Sequence, residues 1–355
     1  EVFGLTARLY DVDPRAIARA GSCCAPRDAH DARAVARHLG MRHYVLDERE
    51  VFKATVIDRF VDDYVAGRTP NPCVECNRVL KFDRLVERAR SLGAKALATG
   101  HYARLDVASN GAPLLRRGVD SSKDQAYFLY PLRNDAAEFL RFPLGPETKE
   151  QVRDHARRLA LPTADKPESM DICFVGDTTA STFVGRTGRP ASGQIVDLAG
   201  TSLARHDNIA RFTVGQRRGL NITRPRPDGQ PWYVVDKVAD GTVIVGGHDD
   251  LAVHTLLLNS YNTIGDRPPE IDDEVLVQVR HRGRPVAATV THVSENGQEV
   301  RVAVDRGLYS AARGQSAVLL EDDRVLGGGL IGAVQTRAQE PIAASPHQPA
   351  GGGAP

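Results

Sequence analysis

Residues 80–102 read LKFDRLVERARSLGAKALATGHY, and the change of pattern inside this stretch decides the fold. A helical pattern covers residues 80–92, and Gly93 follows as a typical helix stop. Residues 94–98 then have a strand pattern and lead directly into Thr99-Gly100-His101. Because ligands of α/β proteins bind at the carboxyl ends of parallel strands, the residues after this strand are predicted to form part of a site.

The rest of the first half repeats this alternation of strand and helix, which predicts a doubly wound parallel sheet with helices on both faces. One helix is predicted from the recurrence of apolar residues every four positions between Phe52 and Tyr64. The predicted strands are 2–6 and 43–46, and the other predicted helices are 28–39 and 149–159.

The pattern changes after about Gly176, where helical periodicity fades and short Val- and Thr-rich strands take over. Such strands, bounded by Gly, Pro and Asp, predict small antiparallel barrels. We therefore predict an α/β domain at 1–178, two small β-rich, barrel-like domains at 179–250 and 251–338, and a disordered Pro/Ala/Gly-rich tail at 339–355. The predicted strands are 193–196, 232–235, 242–245, 275–280, 286–293 and 300–304.

Composition excludes several classes of protein. With 41% hydrophobic and 26% charged residues, the composition is typical of a soluble folded protein and not of a disordered one. No apolar run approaches the ~20 residues of a membrane span, so a membrane-spanning protein is not expected. It begins without an initiator Met or a signal peptide, so we expect the protein to start upstream. Its net charge is +1, yet residues 201–226 contain six Arg and one Asp, which indicates either a solvated face or a phosphate-binding one.

Three cysteines lie in two motifs, Cys73 and Cys76 in TPNPCVECN and Cys173 in ESMDICFVGD. This spacing is not that of a disulfide-stapled secreted domain and indicates reactive or metal-binding thiols in a reducing compartment, the cytoplasm. Cys76 is predicted at or just before the first turn of a helix, where the helix dipole favours a thiolate. A zinc site would need a second Cys-x-x-Cys, but an iron–sulfur cluster on these three cysteines stays open. Cys173, between Ile172 and Phe174, is equally typical of a buried packing residue.

Further motifs occur in the same order as in one known family, and we therefore identify a resemblance that extends from about Val2 to Ile331. The chain resembles the tRNA-specific 2-thiouridylases (the MnmA/TrmU family), whose first domain is ATP-pyrophosphatase-like. The motifs that carry the resemblance are TPNPCxxCN, TGHYARL, DSSKDQAYFLY, ICFVG, TVGQRRGL, PWYVVDK, ARGQSAV and GGGLI.

The resemblance implies an ATP-dependent sulfurtransferase that converts the wobble uridine of tRNA to 2-thiouridine, with ATP and Mg²⁺ activating the oxygen on C2. It assigns the persulfide to Cys173 and the role of nucleophile to Cys76, and it implies a transient disulfide between the two. It assigns ATP contacts to Gly100 and Ala7. It places Asn71, Pro72 and Cys73 at the target base, and His101, Lys123, Asp124, Gln125, Arg280, His281 and Gln315 at the tRNA. The implied partners are tRNAs that read Lys, Glu and Gln codons and a sulfur donor, either a cysteine desulfurase or a relay protein, with no membrane.

The chain departs from the family pattern in four places. The SGGxDSS phosphate loop is absent, and residues 117–122 (RGVDSS) are no substitute because they have one Gly and no apolar helix after them. We expect that loop upstream of Glu1, and we expect residues 1–355 alone not to turn over ATP. Some members carry Asp in place of Cys73, a Tyr is common in place of His281, and Cys23-Cys24 match no assigned position. Two alternatives remain: a tRNA-binding homologue without catalysis, and a related ATP-pyrophosphatase that thiolates another base.

Overall fold

The computed structural model describes residues 1–11, 26–167, 172–176, 178–188 and 191–336. Cys23, Cys24 and the predicted tail at 339–355 lie outside these residues. Within the described part of the chain, no helix combines the length and the apolar character that crossing a bilayer requires.

The first half alternates helices with short strands, of which the fourth and fifth form an antiparallel hairpin and the others pair in parallel. Its helices are α1 (Pro26–His38), α2 (Arg49–Phe52), α3 (Asp58–Val65), α4 (Pro72–Glu75), α5 (Leu85–Ser91), α6 (Asn134–Ala137) and α7 (Lys149–Arg158). Its strands are β1 (Phe3–Arg8), β2 (Arg42–Asp47), β3 (Leu97–Ala98), β4 (Ala103–Val107), β5 (Pro113–Arg117) and β6 (Leu140–Arg141). Segments of π-helix at Lys53–Ile57 and Cys76–Arg84 connect α2 to α3 and α4 to α5, so 49–65 and 72–91 are two continuous helical rods.

The parallel pairing of this half consists, in the described residues, of two separate two-stranded sheets. Strand β1 pairs with β2 from Phe3↔Arg42 to Arg8↔Asp47, and β3 pairs with β6. The helix before β3 ends at Gly93, which has a φ of +77° that non-glycine residues rarely adopt. The predicted helix stop at Gly93 and the turn into β3 are therefore confirmed.

The second half contains two β structures. After α8 (Ala180–Arg186), a four-stranded sheet has the order β8-β7-β10-β9, from β7 (Gly193–Asp197), β8 (Ser202–His206), β9 (Tyr233–Lys237) and β10 (Val243–Gly246). The remaining strands are β11 (Val253–Thr263), β12 (Glu274–Gln278), β13 (Val286–Val293), β14 (Glu299–Val304), β15 (Ser316–Glu321) and β16 (Arg324–Thr336). These six form a closed antiparallel barrel in the order β11-β14-β13-β12-β15-β16, because β16 pairs back onto β11.

The α/β half and the C-terminal barrel share one hydrophobic core. The β4–β5 hairpin pairs with barrel strand β16 at Arg116↔Arg324, and Asp323 accepts hydrogen bonds from Arg104 and Arg116. Buried apolar residues of the 72–91 rod pack with Leu115 of the hairpin and with Val318 and Val325 of the barrel. The rod is thus fixed against both the α/β half and the barrel.

Candidate active site

Cys76 and Cys173 pack against the same small cluster of buried side chains at the carboxyl end of β1. The buried centre of this cluster consists of Leu9, Phe52, Val56 and Leu80, and Ala7 also lies against it. The hydroxyl of Tyr10 donates a hydrogen bond of 2.7 Å to the carbonyl oxygen of Cys173. The fold therefore brings two cysteines that are far apart in sequence to one place.

Phe174 holds the Cys173 segment in position. Its ring lies edge-on to three others, at centroid distances of 5.7 Å from Phe52, 5.2 Å from Phe60 and 5.4 Å from Phe183. Cys173 itself is half-buried, as is Cys76, whereas Cys73 is exposed. The aromatic neighbour is thus the packing residue of this motif, and both half-buried thiols lie at a boundary between core and solvent.

The prediction that Cys76 lies at the start of a helix is wrong by one turn. The helical rod begins at Pro72, with Asn71 extended at the N-cap, and the backbone N–H of Cys76 already donates to the carbonyls of Pro72 and Cys73. The sequence Pro-Asn-Pro indicated a stiff linker, but proline is well tolerated in the first turn of a helix. Because the effect of the helix dipole falls off after the first turn, the predicted reason for a thiolate at Cys76 does not hold.

In the described residues, no three His, Cys, Asp or Glu side chains are grouped so that they could hold a metal ion. Cys73, Cys76 and Cys173 are all among the residues searched. Their arrangement therefore gives no support to the iron–sulfur alternative.

At the carboxyl end of β3, Gly100 is exposed and the next residue, His101, is buried. The Nδ1 atom of His101 lies 2.8 Å from Thr99 Oγ1, and its Nε2 atom lies 3.3 Å from Lys81 Nζ. Burial, with the nearby Lys81 charge, keeps the pKa of His101 well below its ordinary value, so the ring is neutral. A tRNA contact for His101 stays a prediction, and in this structure its ring contacts Thr99 and Lys81.

Asp124 is also buried, and its carboxylate organises the loop before the aromatic segment 126–130. It accepts hydrogen bonds from the backbone N–H groups of Gly118 (3.0 Å) and Ala126 (3.1 Å) and from Arg117 Nε (2.6 Å). Gln125 accepts one from the N–H of Tyr102 at 3.0 Å, and Lys123 is half-buried. The loop that contains these three predicted tRNA positions is therefore rigidly tied to β4 and β5.

The barrel brings one of the other predicted tRNA positions, His281, to this loop. His281 Nε2 lies 2.9 Å from the carbonyl oxygen of Asp124, and the His281 ring centroid is 4.4 Å from that of Phe128. Arg280 is exposed, and its guanidinium donates to the carbonyl of Ser310 at 2.7 Å. The Oε1 atom of Gln315 is buried and has no hydrogen-bond partner among the described residues.

Several arginines of the second half are open to solvent. Four of the six arginines in 201–226 are exposed with no described acid within 4.0 Å of their guanidinium groups: Arg205, Arg217, Arg218 and Arg224. By contrast, Arg211 pairs with Asp207 at 3.1 Å, and Arg226 pairs with Asp228 at 2.7 Å. The cluster predicted from composition is thus partly neutralised, and four of its six charges remain available to an anionic partner.

Comparison with known proteins places the chain in a family. Residues 1–177 match the model of the tRNA methyl transferase HUP domain, 181–247 that of the tRNA methyl transferase PRC-barrel domain, and 253–331 that of the aminomethyltransferase beta-barrel domain. The chain is 44% identical over 337 residues to the tRNA-specific 2-thiouridylase MnmA of Maricaulis maris, covering 93% of this chain and 81% of that one. It is 43% identical over 350 residues to that of Methylobacterium radiotolerans, covering 96% and 89%, and 44% identical over 351 residues to that of Brucella suis, covering 96% and 86%.

The chain belongs to the tRNA-specific 2-thiouridylase (MnmA) family. The predicted resemblance and the predicted fold class, an α/β domain followed by two β-rich domains, are confirmed.

In this 2-thiouridylase homologue, Tyr127, a residue not predicted from the sequence, connects the segment of Asn71 to the barrel. Its hydroxyl lies 3.0 Å from the carbonyl of Ser316 and 3.2 Å from that of Val279, and it also interacts with the Asn71 side chain. Burial raises the pKa of Tyr127 far above its ordinary value, so the hydroxyl keeps its proton. The motif DQAYFLY contains the signal, since a tyrosine in an apolar segment usually has a buried hydrogen-bond partner.

Proposed function

We propose that the protein is an ATP-dependent tRNA uridine 2-sulfurtransferase that forms 2-thiouridine at the wobble position. The observation that carries this proposal is the packing of Cys76 and Cys173 against one cluster beside Ala7. Sulfur transfer through a persulfide needs two thiols at one substrate, and the names of the relatives supply the class of substrate.

The first chemical step activates the base. The oxygen on C2 of uracil attacks the α-phosphorus of ATP, the bond from that phosphorus to the bridging oxygen breaks, and pyrophosphate leaves while N3 loses its proton to solvent. This step converts a very poor leaving group into AMP. Gly100 and Ala7, at the carboxyl ends of β3 and β1, are our proposed ATP contacts, with Mg²⁺ accompanying the nucleotide.

The second step delivers sulfur. The terminal sulfur of a Cys173 persulfide attacks C2 and AMP leaves, so that Cys173 and the base are joined through two sulfur atoms. The Cys76 thiolate then attacks Cys173 Sγ, the sulfur–sulfur bond to the base breaks, and 2-thiouridine leaves as a Cys76–Cys173 disulfide forms. A thiol reductant restores both thiols, and a sulfur donor protein, either a cysteine desulfurase or a relay protein, reloads Cys173.

The remaining assignments follow the same proposal. Asn71, Pro72 and Cys73 at the start of the rod meet the target base, which costs little to draw out because an anticodon loop is single-stranded. The open arginines of the second half contact tRNA phosphates. We further propose tRNAs that read Lys, Glu and Gln codons as substrates, a cytoplasmic location, and the domain limits 1–178, 179–250 and 251–338.

The test is nucleoside mass spectrometry on tRNA from a strain that lacks its own 2-thiouridylase and expresses the full-length protein. We expect rescue by the wild type, loss of 2-thiouridine with Cys173→Ser or Cys76→Ser, and normal rescue with Cys23→Ser. Normal 2-thiouridine with Cys173→Ser would overturn the assigned roles.

One further protein variant and two possible results with the wild type distinguish the alternatives. Cys73→Asp should retain rescue if the thiols act through a persulfide, and it should abolish rescue if Cys73 is a cluster ligand. Tight tRNA binding without rescue by the wild type would indicate a homologue without catalysis, and a thiolated base at another tRNA position would indicate a different acceptor.

A further inference from the structure

A lysine that the cysteine chemistry does not use lies next to the predicted nucleotide edge. Lys81 belongs to the same π-helical segment as Cys76, and its Nζ atom lies 3.3 Å from Nε2 of the buried His101. The other ring nitrogen of His101 lies 2.8 Å from Thr99 Oγ1. Three side chains thus form a connected row from β3 to the rod.

The chemistry of these groups fixes the direction of each hydrogen bond. A lysine ammonium can only donate, so Nε2 of His101 must accept and the ring proton must reside on Nδ1. That proton is donated to Thr99 Oγ1, which selects this tautomer. Burial keeps the ring neutral, and the rings of Phe82 and Phe142 pack edge-on against it at 6.1 and 5.6 Å. The imidazole is therefore a fixed, uncharged acceptor.

An uncharged acceptor leaves the full positive charge on Lys81. Among the described residues, no Asp or Glu oxygen lies within 4.0 Å of Lys81 Nζ, whereas Lys53 pairs with Asp58 at 2.9 Å. Lys81 is only half-buried, so its ammonium group is held at a border with solvent. A cation that is positioned but not neutralised is suited to an anionic ligand.

The position of this cation favours a nucleotide over a tRNA backbone phosphate. His101 directly follows exposed Gly100 at the carboxyl end of a parallel strand, where α/β sheets bind nucleotides.

We propose that Lys81 binds the phosphate oxygens of ATP and stabilises the charge on the α-phosphate during adenylation of the base, with His101 and Thr99 as positioning residues. This inference rests on the proposed function and deepens it. In the step described above, charge shifts from the attacked α-phosphate onto the leaving pyrophosphate, and an ammonium already in place needs no reorganisation to stabilise it.

The experiment compares full-length wild type with Lys81→Met, Lys81→Arg and the control Lys95→Met, which removes an exposed lysine that has no described acid within 4.0 Å. ATP affinity is measured by calorimetry without tRNA, tRNA affinity is measured without ATP, and 2-thiouridine is measured in the rescued strain. We expect Lys81→Met to weaken ATP binding about 10- to 100-fold, the effect of one charge-assisted hydrogen bond, with unchanged tRNA affinity. Lys81→Arg should retain most of the affinity, and Lys95→Met should match the wild type.

Thr99→Val tests the positioning role. Without the Thr99 hydroxyl as acceptor, the His101 ring proton can move to Nε2, where it faces the Lys81 ammonium group. The hydrogen bond from Lys81 to His101 is then lost in part of the molecules, so ATP affinity should fall about 3- to 10-fold. The same substitution in a Lys81→Met background should have no further effect, a result that a merely structural role would not give.

The outcomes separate this inference from the proposed function. Normal ATP affinity and normal rescue with Lys81→Met would overturn the inference while the thiolation function stands. Loss of tRNA affinity with ATP binding intact would overturn it in favour of a tRNA phosphate. Absence of rescue by the wild type would instead refute the proposed function.

Discussion

The buried Lys237 gives the sharpest prediction about stability. It is 1% exposed and lies where three parts of the chain meet: its Nζ atom donates to the carbonyl of Arg68 at 3.4 Å and lies 5.6 Å from the centre of the Tyr64 ring. Asp236 and Arg313 are the charged groups beside it, and they pair with each other at 3.0 Å. Burial lowers the pKa of Lys237 from 10.5 to about 8.

This lowered pKa has a defined effect on unfolding. Between about pH 8 and 10.5 the unfolded chain binds a proton at this lysine that the folded protein does not, so the free energy of unfolding rises with pH in that window. Below about pH 8 both states are protonated and the folded state carries the full cost of the buried charge, about 3 kcal/mol. Replacing the lysine also loses its hydrogen bond to Arg68 and its contact with Tyr64, together worth about 1–2 kcal/mol.

Lys237→Met removes the charge and keeps most of the volume. We expect it to raise the free energy of unfolding by about 1–2 kcal/mol at pH 7 and to remove the extra rise toward pH 9.5. Urea unfolding of both proteins at pH 7, 8 and 9.5 measures this, with Lys95→Met as the control for loss of an exposed charge. The pH range stops at 9.5 because burial also raises the pKa of Tyr64, which lowers stability above its ordinary value of 10.0. A variant that is less stable at pH 7, or one whose pH dependence equals that of the wild type, would refute this reasoning.

Three further outcomes follow from the contacts described above. Asp124→Asn breaks a buried ion pair with Arg117, so we expect a loss of about 2–3 kcal/mol in urea unfolding, whereas an unchanged midpoint would contradict the role of this carboxylate. Gly145→Ala places a methyl group into the carbonyl oxygen of Ala103, so thermal unfolding should shift down by the equivalent of about 2–3 kcal/mol, and a normal melting temperature would disprove the overlap. Phe174→Ala removes the ring that holds the Cys173 segment, so 2-thiouridine in the rescued strain should fall several-fold at equal protein level, with Phe174→Leu as the milder control.

Apolar periodicity predicted the helices and strands whose ends are marked by capping or turn residues nearby in the sequence. The strand predicted at 43–46 is Arg42–Asp47, and the helix predicted at 149–159 is Lys149–Arg158. That helix begins with a capping box in which Thr148 Oγ1 accepts from the N–H of Gln151 and the Gln151 side chain accepts in return. Periodicity and end signals are both properties of neighbouring residues, so they can be found without knowing the fold.

Other features depend on partners far away in sequence and could not be predicted in this way. The hairpin of β4 and β5 exists as part of an eight-stranded sheet because it pairs with β16, more than 200 residues later. The rod starts at Pro72 and not near Leu80, because packing of Val74 into the shared core favours helix where the prolines indicated a linker. In both cases, contacts with residues distant in sequence determine the secondary structure.

The candidate site also has one part that the sequence predicted and one part that it did not. Family resemblance placed Cys76 and Cys173 in one site, and the structure brings both to the cluster around Phe52 and Leu80. The resemblance gave no information on how deeply each residue is buried. His101 and Asp124 are 7% and 6% exposed, which a motif written as letters cannot show.

Burial changes what these predicted tRNA positions can offer a ligand. Asp124 presents its backbone carbonyl, and not its carboxylate, to His281, while His101 presents Nε2 to Lys81. Any effect of Asp124 on a ligand would therefore pass through the loop that its carboxylate holds, and any effect of His101 through Lys81, whereas exposed Arg280 can contact a ligand directly. It follows that substitution of Arg280 should change tRNA affinity alone, whereas substitution of Asp124 must change stability together with affinity. Since a loss of stability lowers every activity, only affinity measured on folded protein can distinguish the two kinds of residue.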